Sequence, residues 1–341
     1  MNRRTVFFLG LGGLAGCSRD LRPRLNVFNW SAYVAERTIP DFEKEFNVRV
    51  RYAVYESNEE MLARVLGGNS GWDVVFPSSY FVGPMIENRL LAEVRHEWLP
   101  DLDNLDAPFR RPAWDPAVRY SVPYMWGASG ILYQGSLQPP PRRWSDMWRR
   151  PLAGRITMLD DPAEVLGASL KKLGYSLNST SETELRAAQR EAIDQKRLLR
   201  AYLNAEVRDQ MIAGDVLAAQ LWATTSQQAI DGAPTLRFAY PEEGFPLYAD
   251  SAVILRESRR AELAHRFINY LLRPAVAATV VVETRTATVN AKARALLPAE
   301  VSGNPVLYPD ARTLARGEWF QPMPTAVQRL RDRLWTEIKS A

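Results

Sequence analysis

The chain of 341 residues is long enough for two domains of ordinary size, and its 46% hydrophobic and 24% charged residues are typical of a soluble globular protein. The net charge of +4 is small for this length, and no dense run of Lys or Arg indicates a nucleic-acid surface. His96 and His265 lie far apart, and the single Cys has no partner, so a zinc site, a disulfide framework or a Cys-His nucleophile has little to build on. We expect neither a metal nor a cofactor.

The first segment is typical of a targeting peptide. Arg3 and Arg4 form a positive start, and the apolar run 6–16 is too short to span a bilayer. The run ends in Leu14-Ala15-Gly16-Cys17, which resembles the lipobox of bacterial lipoproteins, where the Cys becomes the lipidated amino terminus after cleavage. An ordinary signal peptide with a coincidental Cys is the alternative. We predict that residues 1–17 are a lipoprotein signal peptide and that Cys17 anchors the exported protein to a membrane.

Strands and helices alternate in the part of the chain that follows. Alternating apolar residues predict a strand over 48–55, and a capping box at Ser57-Asn58-Glu59-Glu60 predicts a helix that Gly67 and Gly68 stop. Such alternation is typical of parallel βαβ units. The remaining predicted elements of this half are strands over 25–30 and 72–77 and a helix from Thr38 or Asp41 to Phe46.

A change of domain is predicted near Gly127, where the extended segments 120–126 and 129–133 meet. Beyond it, Ser145 is predicted to cap a short helix, and Asp161-Pro162-Ala163-Glu164 to begin another. A strand over 251–255 is expected to return to the first domain. The other predicted elements are strands over 155–159, 216–222 and 236–240 and helices over 181–202, 261–272 and 327–338.

One kind of residue cluster recurs along the chain. Trp30 and Tyr33 flank Ser31 where the first strand ends, and ligands of open α/β sheets bind outside the carboxyl ends of strands. Hydroxyls, flat rings and acids together suit a ligand that is part apolar and part cationic. Each group also has a structural interpretation: the rings as core, the acids as helix or turn caps. Similar groups follow at Ser78-Ser79-Tyr80, Asp161 with Glu164, Trp222, and Tyr248 with Asp250.

Several motifs resemble, in their order, those of the spermidine/putrescine-binding periplasmic proteins. They cover nearly everything after residue 24, and each is weak alone, but their serial order makes a chance resemblance improbable. The motifs are Asn29-Trp30-Ser31-Ala32-Tyr33-Val34, Tyr55-Glu56-Ser57-Asn58-Glu59, Pro77-Ser78-Ser79-Tyr80, Tyr120-Ser121-Val122-Pro123-Tyr124-Met125-Trp126-Gly127, Asp160-Asp161-Pro162-Ala163-Glu164-Val165, Lys172-Leu173-Gly174-Tyr175, Asp250-Ser251, Leu271-Leu272-Arg273-Pro274 and Leu307-Tyr308-Pro309-Asp310-Ala311.

The resemblance implies an α/β fold of the two-lobed periplasmic-binding-protein type (type II), with the ligand cleft between the lobes. Residues 24–127 and 250–290 are then the first lobe, 128–249 the second, and 291–341 a helical segment across both. The implied protein is not an enzyme but a monomeric receptor that delivers a polyamine to an ABC importer permease. The family's ligand-binding groups fall on Trp30, Ser31, Tyr33, Ser78, Tyr80, Asp161, Glu164, Trp222, Tyr248 and Asp250.

Three departures from the family pattern bear on the ligand. Ala32 stands where Asp or Glu is usual, Tyr248 stands where Trp is common, and the segment 284–290 lacks a Tyr and brings Arg285. We expect the pocket end beside Tyr33 to be short of negative charge. Another cationic or zwitterionic solute is therefore an open alternative. A lipid-anchored hydrolase that uses Asp161 and Glu164 is a more distant one.

Overall fold

The computed structural model describes residues 20–341; the predicted signal peptide and Cys17 lie outside this range. Within it the architecture is a mixed α/β fold, as predicted. No helix of this range has the length and apolar character that crossing a membrane requires. The strands of this range are β1 (Arg24–Trp30), β2 (Arg49–Tyr55), β3 (Val74–Val75), β4 (Ser121–Gln134), β5 (Ile156–Met158), β6 (Leu199–Tyr202), β7 (Ala218–Trp222), β8 (Leu236–Ala239), β9 (Phe245–Ile254), β10 (Ala287–Thr288) and β11 (Gly317–Trp319).

Helices of two kinds connect the strands of the described range. Four short 3-10 turns lie at His96–Trp98, Leu102–Asn104, Trp144–Trp148 and Arg150–Leu152 of the described range. The α-helices there are α1 (Thr38–Phe46), α2 (Asn58–Leu66), α3 (Ser79–Glu87), α4 (Ala107–Arg110), α5 (Pro162–Lys172), α6 (Glu182–Lys196), α7 (Val207–Ala213), α8 (Ala223–Gly232), α9 (Ala261–Leu271), α10 (Pro274–Thr284), α11 (Ala291–Arg294), α12 (Ala299–Ser302), α13 (Ala311–Leu314) and α14 (Thr325–Ser340).

The strand order along the sheet is β2-β1-β3-β9-β4-β7-β5-β6. β1 runs parallel to β2 and β3, so Trp30 and Tyr55 end side by side as register partners. β9 runs antiparallel between β3 and β4. The carboxyl ends of β1, β2 and β3 therefore meet at one edge, and β9 passes that edge in the opposite direction.

β4 connects the two halves of the sheet. Its residues up to Ala128 pair with β9, and those from Ser129 pair with β7. The two extended segments predicted on either side of Gly127 are thus one continuous strand. Gly127 is required there because an added Cβ would lie 2.6 Å from the Tyr248 hydroxyl. The lobe boundaries themselves stay a prediction.

Several predicted elements have different bounds in the structure. The helix predicted over 181–202 ends at Lys196, and its last residues form β6 beside β5, because pairing with a strand outweighs local helix propensity. The strand predicted over 72–77 covers only Val74–Val75. Ser145 does not cap its helix: the 3-10 turn begins at Trp144, and Asp146 accepts hydrogen bonds from the backbone N–H groups of Arg142 and Arg143.

The carboxyl-terminal part of the chain packs against both halves of the sheet. β11 pairs in parallel with the first residues of β9. α14 contacts α5 and α6, and its Arg331 guanidinium donates to the Leu177 carbonyl oxygen at 2.8 Å. α11 contacts α10 and β10. Elements that follow the last long strand thus pack against β9 and against α5 and α6.

Candidate functional site

The ten predicted site residues all line one cavity of about 270 Å³. The cavity lies at the sheet edge where β1 ends, between that edge and the amino-terminal turn of α5. The structure therefore brings together side chains that are up to 220 positions apart, from Trp30 to Asp250. The ten are Trp30, Ser31, Tyr33, Ser78, Tyr80, Asp161, Glu164, Trp222, Tyr248 and Asp250.

The turn after β1 holds the first two rings. Trp30 closes the strand, and its indole N–H donates to the Phe76 carbonyl oxygen at 2.8 Å, which fixes the ring over the end of β3. Tyr33 is held through its own carbonyl, which accepts from the Tyr124 hydroxyl at 2.7 Å. The two ring centroids are 6.5 Å apart. Both rings are half-buried, so each keeps one face for a ligand.

Asp250 is the central carboxylate of the cavity. β9 carries it past the end of β3, where a β-bridge sets it beside Ser78. The Ser78 hydroxyl donates to Oδ1 at 2.7 Å, and the Tyr33 hydroxyl donates to Oδ2 at 2.6 Å. Asp250 is only 1% exposed, and this burial raises its pKa to about 6, against the lowering effect of the two hydroxyls. An oriented, poorly solvated carboxylate is a strong partner for a cation.

Asp161 occupies the amino-terminal cap of α5, as its sequence pattern predicts. Its Oδ1 accepts from the backbone N–H groups of Ala163 at 2.8 Å and Glu164 at 3.1 Å. Burial raises the pKa of Asp161, while those N–H groups and the charge of Arg331 act to lower it. The cap and a place on the cavity wall coexist, so the structural interpretation and the functional one are compatible at this residue.

Glu164 lies one turn further into α5 and is 2% exposed. Its Oε1 accepts from the Ser129 hydroxyl at 2.6 Å, and Gln220 donates to its Oε2 at 3.3 Å. Burial, and then the charge of Asp161, raises its pKa to about 8. Near neutral pH and without a cation, this carboxyl is therefore largely protonated.

The remaining walls are aromatic. Tyr80, at the start of α3, packs on Phe320 with centroids 5.0 Å apart. Tyr248 lies on β9 directly beside Gly127 of β4, its register partner. Trp222 ends β7 and is the N-cap residue of α8. Flat rings from both halves of the sheet thus line the cavity together with the carboxylates. Such rings can pack on the methylene groups of a ligand and make cation–π contacts with its charged groups.

Sequence reasoning missed several lining residues. Glu56 follows β2 directly, so the strand-end rule that identified Trp30 also applies to it. Phe320 gave no local signal, because β11 brings it in from the end of the chain. The residues on or before α7 and α8 were missed because neither helix was predicted. The missed residues include Glu56, Asn58, Glu206, Arg208, Thr224, Thr225, Gln228 and Phe320.

Two arginines contribute differently from what the sequence suggests. Arg285 does not line the cavity; its guanidinium pairs with Asp231 at 2.7 Å. Arg208 does line it and is half-buried; among residues 20–341 its ion-pair partner is the exposed Asp209 at 3.2 Å, and it also donates to the Gln228 side-chain oxygen at 3.4 Å. Against this one cation stand five lining carboxylates, Asp161, Glu164, Asp250, Glu56 and Glu206. The excess of acid favours a positively charged ligand. Among residues 20–341 no group of three or more metal-ligating side chains is placed to hold a metal ion.

Comparison with known proteins agrees with this geometry. Residues 38–308 match the family model for bacterial extracellular solute-binding proteins. The spermidine/putrescine-binding periplasmic protein of Escherichia coli is 33% identical over 310 residues, 90% of this chain and 89% of that protein. The putrescine/cadaverine-binding protein of Pseudomonas aeruginosa is 31% identical over 330 residues, 93% of each chain. The solved Tp0655 (TpPotD) lipoprotein of Treponema pallidum superposes with a TM-score of 0.83 at 31% identity, over 92% of this chain and 99% of that one. The predicted fold class is confirmed.

Proposed function

Because this chain belongs to the bacterial extracellular solute-binding proteins, we propose that it is a lipid-anchored receptor that binds a polyamine and delivers it to an ABC importer. The observation that supports this most is the environment of Asp250, a buried carboxylate held between the Tyr33 and Ser78 hydroxyls at one wall of a ring-lined cavity. The receptor makes and breaks no bond. Ligand in the cleft favours the closed arrangement of the lobes, which the permease recognises.

The chemistry of a polyamine fits the arrangement of the cavity. A polyamine is a methylene chain with two or more ammonium groups. Asp250 lies on β9, and Asp161 with Glu164 lies at the start of α5, so two different elements offer carboxylates to the ammonium groups. Trp30, Tyr33, Tyr80, Trp222 and Tyr248 cover the methylenes, and each cation–π contact contributes about 0.5–2 kcal/mol.

The relatives give independent support for this class of ligand. Proteins about one-third identical to this chain are named as binding spermidine and putrescine in Escherichia coli, and putrescine and cadaverine in Pseudomonas aeruginosa. All these ligands are linear chains that end in ammonium groups. The family description also supports a location outside the cytoplasm.

Calorimetric titration of the mature chain with putrescine and spermidine tests the proposal. Saturable binding with one site per chain is the expected result. If neither polyamine binds while the protein is folded, the ligand assignment is wrong, and thermal-shift screening with amino acids and choline-like compounds is the next measurement.

A zwitterionic solute is the second candidate, and Arg208 is the observation that favours it. A guanidinium on the cavity wall is a natural partner for a ligand carboxylate, especially as Asp209, its ion-pair partner, is solvent-exposed. In that case Arg208→Gln would weaken binding of the zwitterion and leave putrescine binding unchanged or tighter. The same variant therefore separates the two candidates.

Lipid attachment at Cys17 is part of the proposal. It is supported by the lipobox-like Leu14-Ala15-Gly16-Cys17 after a short apolar run, and a Treponema pallidum relative is itself called a lipoprotein. Cys17→Ala should release the protein from membranes or leave it unprocessed. If wild-type protein incorporates no labelled fatty acid, the anchor is excluded while the receptor proposal stands.

A further inference from the structure

Several arginines gather at the end of β1 and β2 opposite to the end at which the cavity lies. Arg24 begins β1 and Arg49 begins β2, and the two are register partners. Arg259 and Arg260 lie in the turn between β9 and α9, at the same edge of the sheet. One surface hollow is lined by Arg22, Arg24, Arg49 and Arg260 with a single acid, Asp20. We call Arg22, Arg24, Arg49, Arg259 and Arg260 the arginine pole.

Part of this positive charge has no carboxylate partner. Asp20 pairs with Arg22 at 2.6 Å, and Glu43 pairs with Arg49 at 3.0 Å. Within residues 20–341, Arg24, Arg259 and Arg260 form no ion pair within 4 Å, and all three are exposed. The first 19 residues contain no Asp or Glu that could pair with them. Three guanidinium groups are therefore free to meet an external anion.

The nearby acids do not cancel this charge. Glu257 accepts from the backbone and side chain of Ser70, and Asp73 accepts from the backbone of Asn26 and from Ser258. Glu262 pairs with Arg266. These contacts orient the carboxylates of Asp73 and Glu257 but do not remove their charge, and both line one hollow with Arg24, Arg259 and Arg260. Three guanidinium groups against two carboxylates leave an excess of positive charge in this hollow.

The short distance along the chain from Cys17 to the arginine pole is a second observation. Only Ser18 and Arg19 separate Cys17 from Asp20, and Cys17 is seven residues before Arg24. Seven residues span at most about 25 Å when fully extended. Leu21, between Asp20 and Arg22, is 87% exposed. An anchored Cys17 therefore keeps the arginine pole, and a free apolar side chain, close to the bilayer surface.

We propose that, in a chain anchored at Cys17 and not docked on a permease, the arginine pole rests on anionic phospholipid headgroups of the anchoring membrane, with the ligand cavity turned away from the bilayer. Delivery to a permease in the same membrane then requires the arginine pole to leave the headgroups. β1 runs from Arg24 to Trp30, so the cavity lies about 20 Å further along the strand. The headgroup phosphates take the place of the missing carboxylates, and Leu21 enters the interfacial layer. This proposal rests on the proposed lipid anchor but not on which solute the cavity binds.

Vesicle binding by chain 18–341 without lipid measures the contact directly, since this chain keeps every residue that the structure describes. The expected result is sedimentation with vesicles of phosphatidylglycerol and phosphatidylcholine, weak sedimentation with phosphatidylcholine alone, and loss of binding in high salt. Each basic residue near such a surface contributes about a fivefold gain in partition. No difference between the two vesicle types would overturn the proposal.

A matched pair of variants separates the arginine pole from net charge. Arg24→Glu, Arg259→Glu and Arg260→Glu together should reduce partition at least about thirtyfold. The control combines Arg312→Glu, Arg316→Glu and Arg333→Glu, which changes net charge equally at exposed arginines elsewhere. Equal losses in both would assign binding to net charge and overturn the proposal. If the first variant melts early, the same three positions changed to Gln supply the comparison.

Orientation is measured with single labels, because chain 18–341 contains no Cys. Leu21→Cys and Gln321→Cys carry a fluorophore at the arginine pole and next to Phe320 of the cavity wall, respectively. Brominated lipids should quench the first label and not the second. Equal quenching of both would show that the cavity does not face away. Failure of polyamine titration would leave these vesicle results standing.

Discussion

The hydroxyl of Tyr33 lies 2.6 Å from Oδ2 of Asp250, across 217 positions of sequence. Tyr33 belongs to the turn after β1, and Asp250 belongs to β9, so one hydrogen bond joins the two strands that frame the cavity. Ser78 holds the other carboxylate oxygen. The carboxylate is therefore aimed before any ligand arrives.

Replacing Asp250 by Asn should weaken polyamine binding at least about tenfold, because it leaves a buried ammonium without its anionic partner. Tyr33→Phe keeps the ring and should lose less. Calorimetric titration measures both, and Asp194→Asn, at an exposed carboxyl on α6, is the control. A near-native dissociation constant for Asp250→Asn would assign this residue to structure.

Glu164 should make both stability and binding depend on pH. Burial raises its pKa from 4.5 to about 8, so between these values the folded chain holds a proton that the unfolded chain has lost. The free energy of unfolding should therefore fall as pH rises through this window, and Glu164→Gln should flatten that slope. Thermal melts from pH 5 to 9 measure it. If the dependence of stability on pH is unchanged in Glu164→Gln, another group holds the proton. Glu59, whose pKa is raised to about 7, is then the next residue to replace.

Ligand binding should release protons for the same reason. An ammonium pairs with the ionised form of Glu164, so affinity should rise as pH increases toward 8. Titration near pH 7 in two buffers that differ in ionisation enthalpy should give different apparent heats. Identical heats would mean that Glu164 keeps its proton in the complex.

Arg331 should act on the site without touching the ligand. It is 3% exposed, its Nη2 donates to Leu177, and its Nε has no partner within the described residues. Its charge opposes the burial that raises the pKa of Asp161. Arg331→Gln should therefore raise the pKa of Asp161 further, and cation affinity should fall more at low pH than at high pH.

Two further variants test that role of Arg331. Arg333→Gln changes an exposed arginine of the same helix and should have no effect. Arg331→Lys keeps the charge and should restore the wild-type pH profile. A loss in Arg331→Gln that is equal at every pH would indicate that the residue only supports packing of α14.

Ala32 lines the cavity with a positive φ of 52°, a conformation that Asp and Asn tolerate better than most residues. Ala32→Asp should tighten polyamine binding, and Ala32→Asn, of the same shape but uncharged, should not. The expected shortage of negative charge beside Tyr33 is wrong, because Asp250 accepts from the Tyr33 hydroxyl at 2.6 Å and Glu56 also lines the cavity. The gain should therefore be smaller than the sequence alone suggests. Equal affinities of the two variants, measured by titration, would remove position 32 from the site.

The predicted closure of the lobes should be visible in solution. β4 changes its pairing partner from β9 to β7 between Ala128 and Ser129. We expect the rotation of one lobe relative to the other to occur at this point. X-ray scattering should show a smaller radius of gyration with saturating polyamine. An unchanged profile, with binding proven by titration, would exclude the closure.

The sequence predicts an element well when the residues of that element themselves carry the signal. α1, α2 and α9 carry caps or apolar stripes within their own residues, and their bounds agree with prediction to within one or two positions. The sequence predicts helix at β6, because the pairing of β6 with β5 is not visible in residues 199–202. Polar α8 has no clear apolar stripe, and it was missed together with the lining residues that it carries.

The same distinction applies to the site. Trp30, Tyr33 and Asp161 occupy strand ends or helix starts, where sequence rules expect ligands or caps. The protonation of Glu164 depends on Ser129 and Gln220, which neighbouring strands bring to it, and the role of Arg331 depends on where α14 packs. These are tertiary relationships that no local pattern contains.

β4 also has a consequence for how the chain folds. Ser121 pairs with Val253, and Tyr133 pairs with both Ala218 and Arg237. Pairings of such long sequence separation slow folding, because the entropy of closing the loop is lost before the contacts form. A chain emerging amino end first cannot complete the central sheet until β9 has been made. Until then the central sheet stays incomplete, and an incompletely folded chain is what a narrow export channel accepts.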